Sequence, residues 1–62
     1  MTELTIQADS FQIGDIVHTD DGRRVEIRAI KRGDGGELTI NPGSPDELDG
    51  MVWQHATVTR TA

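Results

Sequence analysis

Two histidines, His18 and His55, and the hydroxyls of Ser10 and Ser44 are the side chains in this 62-residue sequence from which a base and a nucleophile could be drawn. Nucleophilic catalysis needs such a pair within hydrogen-bond reach, with a third group orienting the base. No spacing in the chain brings these residues and an acid together, so no catalytic role is expected. Metal binding would draw on His18, Asp20, Asp21 and His55. Asp20-Asp21-Gly22 lacks the alternating ligands of a calcium-binding loop, and a solvated turn accounts for it more simply. No metal or other cofactor is expected.

Arg32-Gly33-Asp34, inside the stretch Lys31 to Glu37, is the tripeptide that integrin ligands present on exposed turns. Gly and Asp are also what a hairpin turn selects for local conformational reasons, and the turn is sufficient explanation.

Five of the six basic residues, Arg23, Arg24, Arg28, Lys31 and Arg32, fall in one short stretch. With Arg24 and Arg28 flanking Glu26 on one strand face, a basic stripe could meet phosphates. Eleven acidic residues, a net charge of −5 and only one Trp and one Phe oppose that use, because phosphate attraction and base stacking both lack support. Mixed-charge strand faces usually pair across strands. A nucleic-acid-associated regulator is thus the alternative expectation; an acidic inhibitor, with Asp46, Glu47 and Asp49 in place of phosphates, is another.

The remaining candidate is Met51, Trp53 and His55 near the end of the chain. If Val52, Ala56 and Val58 point inward along a strand, alternation sets these three on the opposite face, where a Met-Trp-His row suits a protein contact. A one-residue slip would instead make Trp53 the core aromatic.

The elements that must carry these residues read as β throughout. "LTIQA" alternates, with Leu4, Ile6 and Ala8 on one face, and "RVEIRAI" sets Val25, Ile27 and Ala29 against Arg24, Glu26 and Arg28. "FQIGDIVHT" is a β-branched strand with Gly14 permitting a bend. Asp20 to Gly22 and Gly33 to Gly36 are hairpin turns. In "NPGSPDELDG", Ser44, Pro45 and Glu47 have the order of a capping box, enough for one 3₁₀ turn before the closing strand.

Phe11, Gly14, Asp15 and Val17, followed by two hairpins, a single turn and a closing strand, resemble the opening and order of an SH3-like small β-barrel over about residues 11–60. KOW-type nucleic-acid modules share the Gly-Asp-x-Val opening, although Arg23 and Arg24 stand where they would have a further turn glycine. The resemblance implies a fold and carries no functional residue with it, since such barrels host many functions.

The expectation is therefore an all-β, five-stranded SH3-like barrel, one domain over residues 1–62 with frayed ends at 1–2 and 61–62. Only 34% of residues are hydrophobic, and a chain of this size has a thin core that oligomerisation can extend. No basic segment leads into an apolar run, so neither a signal peptide nor a membrane contact is expected, and with no cysteine a cytoplasmic location is. The expected function is non-enzymatic binding or assembly through a protein partner or a homo-oligomer.

Overall fold

A computed structural model describes residues 1–61. Seven strands form: β1 Thr2–Gln7, β2 Ile16–His18, β3 Arg24–Glu26, β4 Ile30–Arg32, β5 Glu37–Ile40, β6 Leu48–Met51 and β7 His55–Arg60. They make a four-stranded sheet in the order β1-β7-β2-β3 and a three-stranded sheet in the order β4-β5-β6, every pairing antiparallel. The all-β class is as expected; a closed five-stranded barrel is not what forms.

Five expected strands become seven because two of them cross from one sheet to the other. "RVEIRAI" pairs with β2 only through Glu26, then turns over residues 27–29 and resumes as β4. Asn41 holds that corner: its Oδ1 accepts from Arg28 N (2.7 Å) and Ala29 N (3.2 Å), its Nδ2 donates to Glu26 O (2.9 Å), and its own N donates to Ala29 O (2.9 Å). Val25 and Ile27 are buried as the alternation requires, but Ala29 is exposed because the bend has changed the face. The closing segment divides likewise at a turn in which Gln54 N donates to Met51 O (3.1 Å).

The 3₁₀ turn lies at Ala8–Ser10, after the first strand and not before the last. In the segment that reads as a capping box, the Ser44 hydroxyl donates to Asp46 Oδ1 (2.7 Å) and the Glu47 carboxylate accepts from Gly43 N (3.2 Å), so the reciprocal cap does not form. Asn41 and Gly43, with φ of 53° and 79°, spend those residues on turns, and Leu48 to Met51 extend into β6. The two expected hairpins are present: Thr19 N donates to Arg23 O (3.0 Å) around Asp20–Gly22, and Gly33 N to Glu37 O (2.9 Å) around Asp34–Gly36.

Between the sheets lies one core of Ala8, Phe11, Val17, Ile27, Leu38, Ile40 and Val58, with Leu4, Ile6, Ile30 and Leu48 packed at its margin. Phe11 is therefore the core aromatic. Thr2 pairs with Arg60, and Ala62 of the expected frayed end lies outside the described residues.

One buried charge anchors the bend before β2. Asp15 is 2% exposed; Arg60 grips its carboxylate through Nε (2.9 Å) and Nη2 (2.8 Å), and Gln12 N donates to it (3.0 Å). These bonds, Arg60 first, hold the Asp15 carboxyl below the usual carboxylate range against the opposing effect of burial. A folded pKa below the unfolded one gives stability that is complete above about pH 4 and is lost as pH falls through the folded value. Asp15→Asn should cost about 2–3 kcal/mol at neutral pH, less than the about 3–5 kcal/mol of breaking a fully buried pair, because the Arg60 side chain keeps 26% exposure. It should also flatten, though not abolish, the loss of stability below about pH 4. Denaturant titrations across pH check both effects.

Candidate interaction site

Three segments converge at one end of the molecule: the tip Gly33–Gly36, the 3₁₀ turn and the corner Met51–Gln54. Val52 N donates to Gly36 O (2.9 Å), Ala8 N to Gln54 O (2.7 Å) and Asp9 N to Val52 O (3.1 Å). Gln54 Oε1 accepts from Met51 N (2.8 Å), closing the corner from its side chain. The corner is thus fixed from three directions.

Trp53 stands on it, 57% exposed, with its ring over Gly36. A Cβ on Gly36 would come within 2.8 Å of the ring, and φ of 86° there already favours glycine. Met51 is half-buried at the end of β6, and His55 is exposed at the start of β7. The corner therefore replaces the continuous strand face expected for Met51, Trp53 and His55, and distributes them over a strand end, a turn and a strand start. The Trp53 indole is an amphipathic surface on a rigid support, the arrangement that makes aromatic residues effective in protein contacts.

Beside this corner, a groove of about 260 Å³ opens between the sheets. Phe11, Leu38, Ile40 and Leu48 contribute apolar surface, and His18, Asp20, Asp49 and His55 are among its polar lining residues. His18 Nε2 lies 2.7 Å from Thr59 Oγ1. Of the metal candidates, His18, Asp20 and His55 line this groove while Asp21 pairs with Arg23, and among the described residues no group of three His, Asp or Glu side chains is arranged to hold an ion. Ser44 is engaged by Arg28 and Asp46, while Ser10 accepts Arg60 Nη2 on its backbone carbonyl (3.2 Å).

The basic residues do not form one stripe. Arg23 and Arg24 lie at the β2–β3 hairpin, Arg28 at the corner between sheets, and Lys31 and Arg32 on β4. Three of them meet acids: Arg23 with Asp21 (2.9 Å), Arg28 with Asp46 (2.6 Å) and Arg32 with Asp9 (3.6 Å). Arg28 and then Ser44 hold the Asp46 carboxyl down at about 2. Arg24 Nη1 reaches the Gly22 carbonyl (3.4 Å), and Lys31 makes no ion pair among the described residues. The acids set aside for phosphate mimicry are also drawn in, since Asp46 serves Arg28 and Asp49 Oδ1 accepts from the Thr39 hydroxyl (2.9 Å). In Arg32-Gly33-Asp34 the arginine folds back, its Nη2 donating to Asp9 O (3.3 Å), while Asp34 stands exposed at the tip.

The sequence singles out neither Arg60 nor Asn41, and it gives Asp15 no ionic partner. Asp15 was legible as part of Gly-Asp-x-Val, but its partner stands 45 positions away and no local pattern joins them.

Gly36→Val should destabilise the fold by about 1–3 kcal/mol, as it forces a β-branched residue into positive φ, and should shift Trp53 emission as the ring lifts. Asp34→Ala, at the open tip, should change stability by less than about 1 kcal/mol. Thermal melts and fluorescence of the two variants side by side provide the check. Comparison with protein families, with curated proteins and with solved structures finds no match to this chain.

Proposed function

We propose that this protein is a non-enzymatic binding or assembly module acting through protein contacts, with Trp53 at the centre and Met51 and His55 beside it. One observation carries this: the sole tryptophan is 57% exposed on a corner braced by backbone hydrogen bonds, while Phe11 fills the core. A large exposed aromatic on a rigid support loses little conformational entropy when a partner covers it. The proposal includes the SH3-like affinity, supported by the two hairpins and the Gly14-Asp15 bend, and an acidic protein acting in the cytoplasm.

A nucleic-acid role for Arg23, Arg24, Arg28, Lys31 and Arg32 has less support. Arg28 would have to exchange Asp46 for a phosphate, and the net charge of −5 opposes the approach.

Trp53→Ala should weaken association by at least about 2 kcal/mol, about 30-fold, while costing the fold less than the about 3–5 kcal/mol of a core aromatic. Calorimetric titration of each form with a purified binding partner, alongside melts of the free proteins, measures both quantities. Equal affinity of the two forms would remove Trp53 from the contact.

A further inference from the structure

The edges of the two sheets differ in what they leave open. In antiparallel ladders, residues that exchange backbone hydrogen bonds recur at every second position. Ala8 N donates to Gln54 O, so in the register of β1 with β7 it is Ile6, Leu4 and Thr2 that bond to β7. Glu3, Thr5 and Gln7 direct their N–H and C=O groups the other way, and among the described residues no strand pairs with that edge.

The remaining edges are blunted. The β3 carbonyl of Glu26 is taken by Asn41 Nδ2, β4 is short and carries Lys31 and Arg32, and Met51 of β6 is capped by Gln54. β1 runs six residues without proline, lysine or bulge, the devices that normally protect an edge.

We propose that two copies of this chain associate through β1, antiparallel, about a two-fold axis at Thr5. The strand is complementary to itself in that register. Thr5 faces Thr5 of the second copy, and Glu3 faces Gln7, whose amide can donate to the carboxylate. On the inner face Leu4 faces Ile6, both only partly buried within one copy. All three outward residues of each strand find partners, and no like charges oppose. Centring on Glu3 would instead set two carboxylates opposite each other, so charge disfavours that register. The four-stranded sheet then continues from one copy into the next. Its main-chain bonds are new contacts, independent of Trp53, and the small area places the dimer in the weak, transient class.

Sedimentation equilibrium of the full chain from about 1 μM to 1 mM tests this over the range open to a small interface. The mass should rise from 6.8 kDa towards twice that value, and amide exchange at Glu3, Thr5 and Gln7 should slow with concentration. Gln7→Glu sets like charges opposite Glu3 twice and should weaken the dimer about tenfold; Gln7→Lys should tighten it. Thr5→Pro, which removes the central outward donor, should leave a folded monomer. The Gln7 pair, an exchange of exposed side chains, decides the matter even if the proline variant misfolds. A mass of 6.8 kDa at every concentration overturns the proposal, as does an assembly indifferent to Gln7→Glu and Gln7→Lys. An assembly dissolved by Trp53→Ala alone would belong to the corner and not to β1.

Discussion

A carboxylate inside a protein this small must be met at once by donors or the fold does not form, and Asp15 is that carboxylate. Removing an ion from water costs several kcal/mol, returned only when geometry is good and the remaining lone pairs are satisfied. Arg60 supplies two aligned donors and Gln12 N a third, while the Asp15 carbonyl accepts from Ile27 N (2.8 Å). One residue thereby joins the bend after the 3₁₀ turn, the end of the last strand and the residue where β3 leaves its sheet. Gly14, at φ of 97°, lets the chain arrive there with its own N–H bonded to Ile27 O (2.9 Å).

Asn41 performs the corresponding task where the chain changes sheets. Bending a strand frees backbone groups that would otherwise lie in a ladder, and leaving them buried and unpaired would cost about 1–3 kcal/mol each. A side-chain amide carries both a donor and an acceptor, so a single residue satisfies Glu26 O, Arg28 N and Ala29 N. No buried side-chain polar atom among the described residues lacks a hydrogen-bond partner. The other sheet change, at Met51–Gln54, is closed by backbone bonds and by Gln54, and this is why Trp53 can stand outside on a firm base.

The surface charge follows the same economy of partners. An acidic chain with its cations gathered in one stretch could have presented a basic face. Folding instead brings Asp21, Asp46 and Asp9 to Arg23, Arg28 and Arg32, pairs individually worth little at the surface but sufficient to cancel a local field. The indole, the groove floor and the edge of β1 stay open as well, beside Arg24 and Lys31, which make no ion pair among the described residues.

Alternation and turn chemistry alone determined the all-β class, the hairpins at Asp20–Gly22 and Gly33–Gly36, and the inward residues Leu4, Ile6, Val25 and Ile27, because each rests on neighbours within a few positions. The break in "RVEIRAI" was hidden, since its cause is an asparagine in a different turn that reads locally as part of a loop. The apparent capping box failed for a similar reason: Ser44 and Asp46 are claimed by Arg28, and a distant cation outcompetes a local cap. Trp53 was ambiguous because a one-residue slip exchanges the faces of a strand, and only the Gln54–Met51 turn, tied to Gly36 and Ala8, decides that it points outward. Periodicity records which residues prefer burial; which sheet they join, and which ion finds which counter-ion, depends on contacts between segments far apart in the chain.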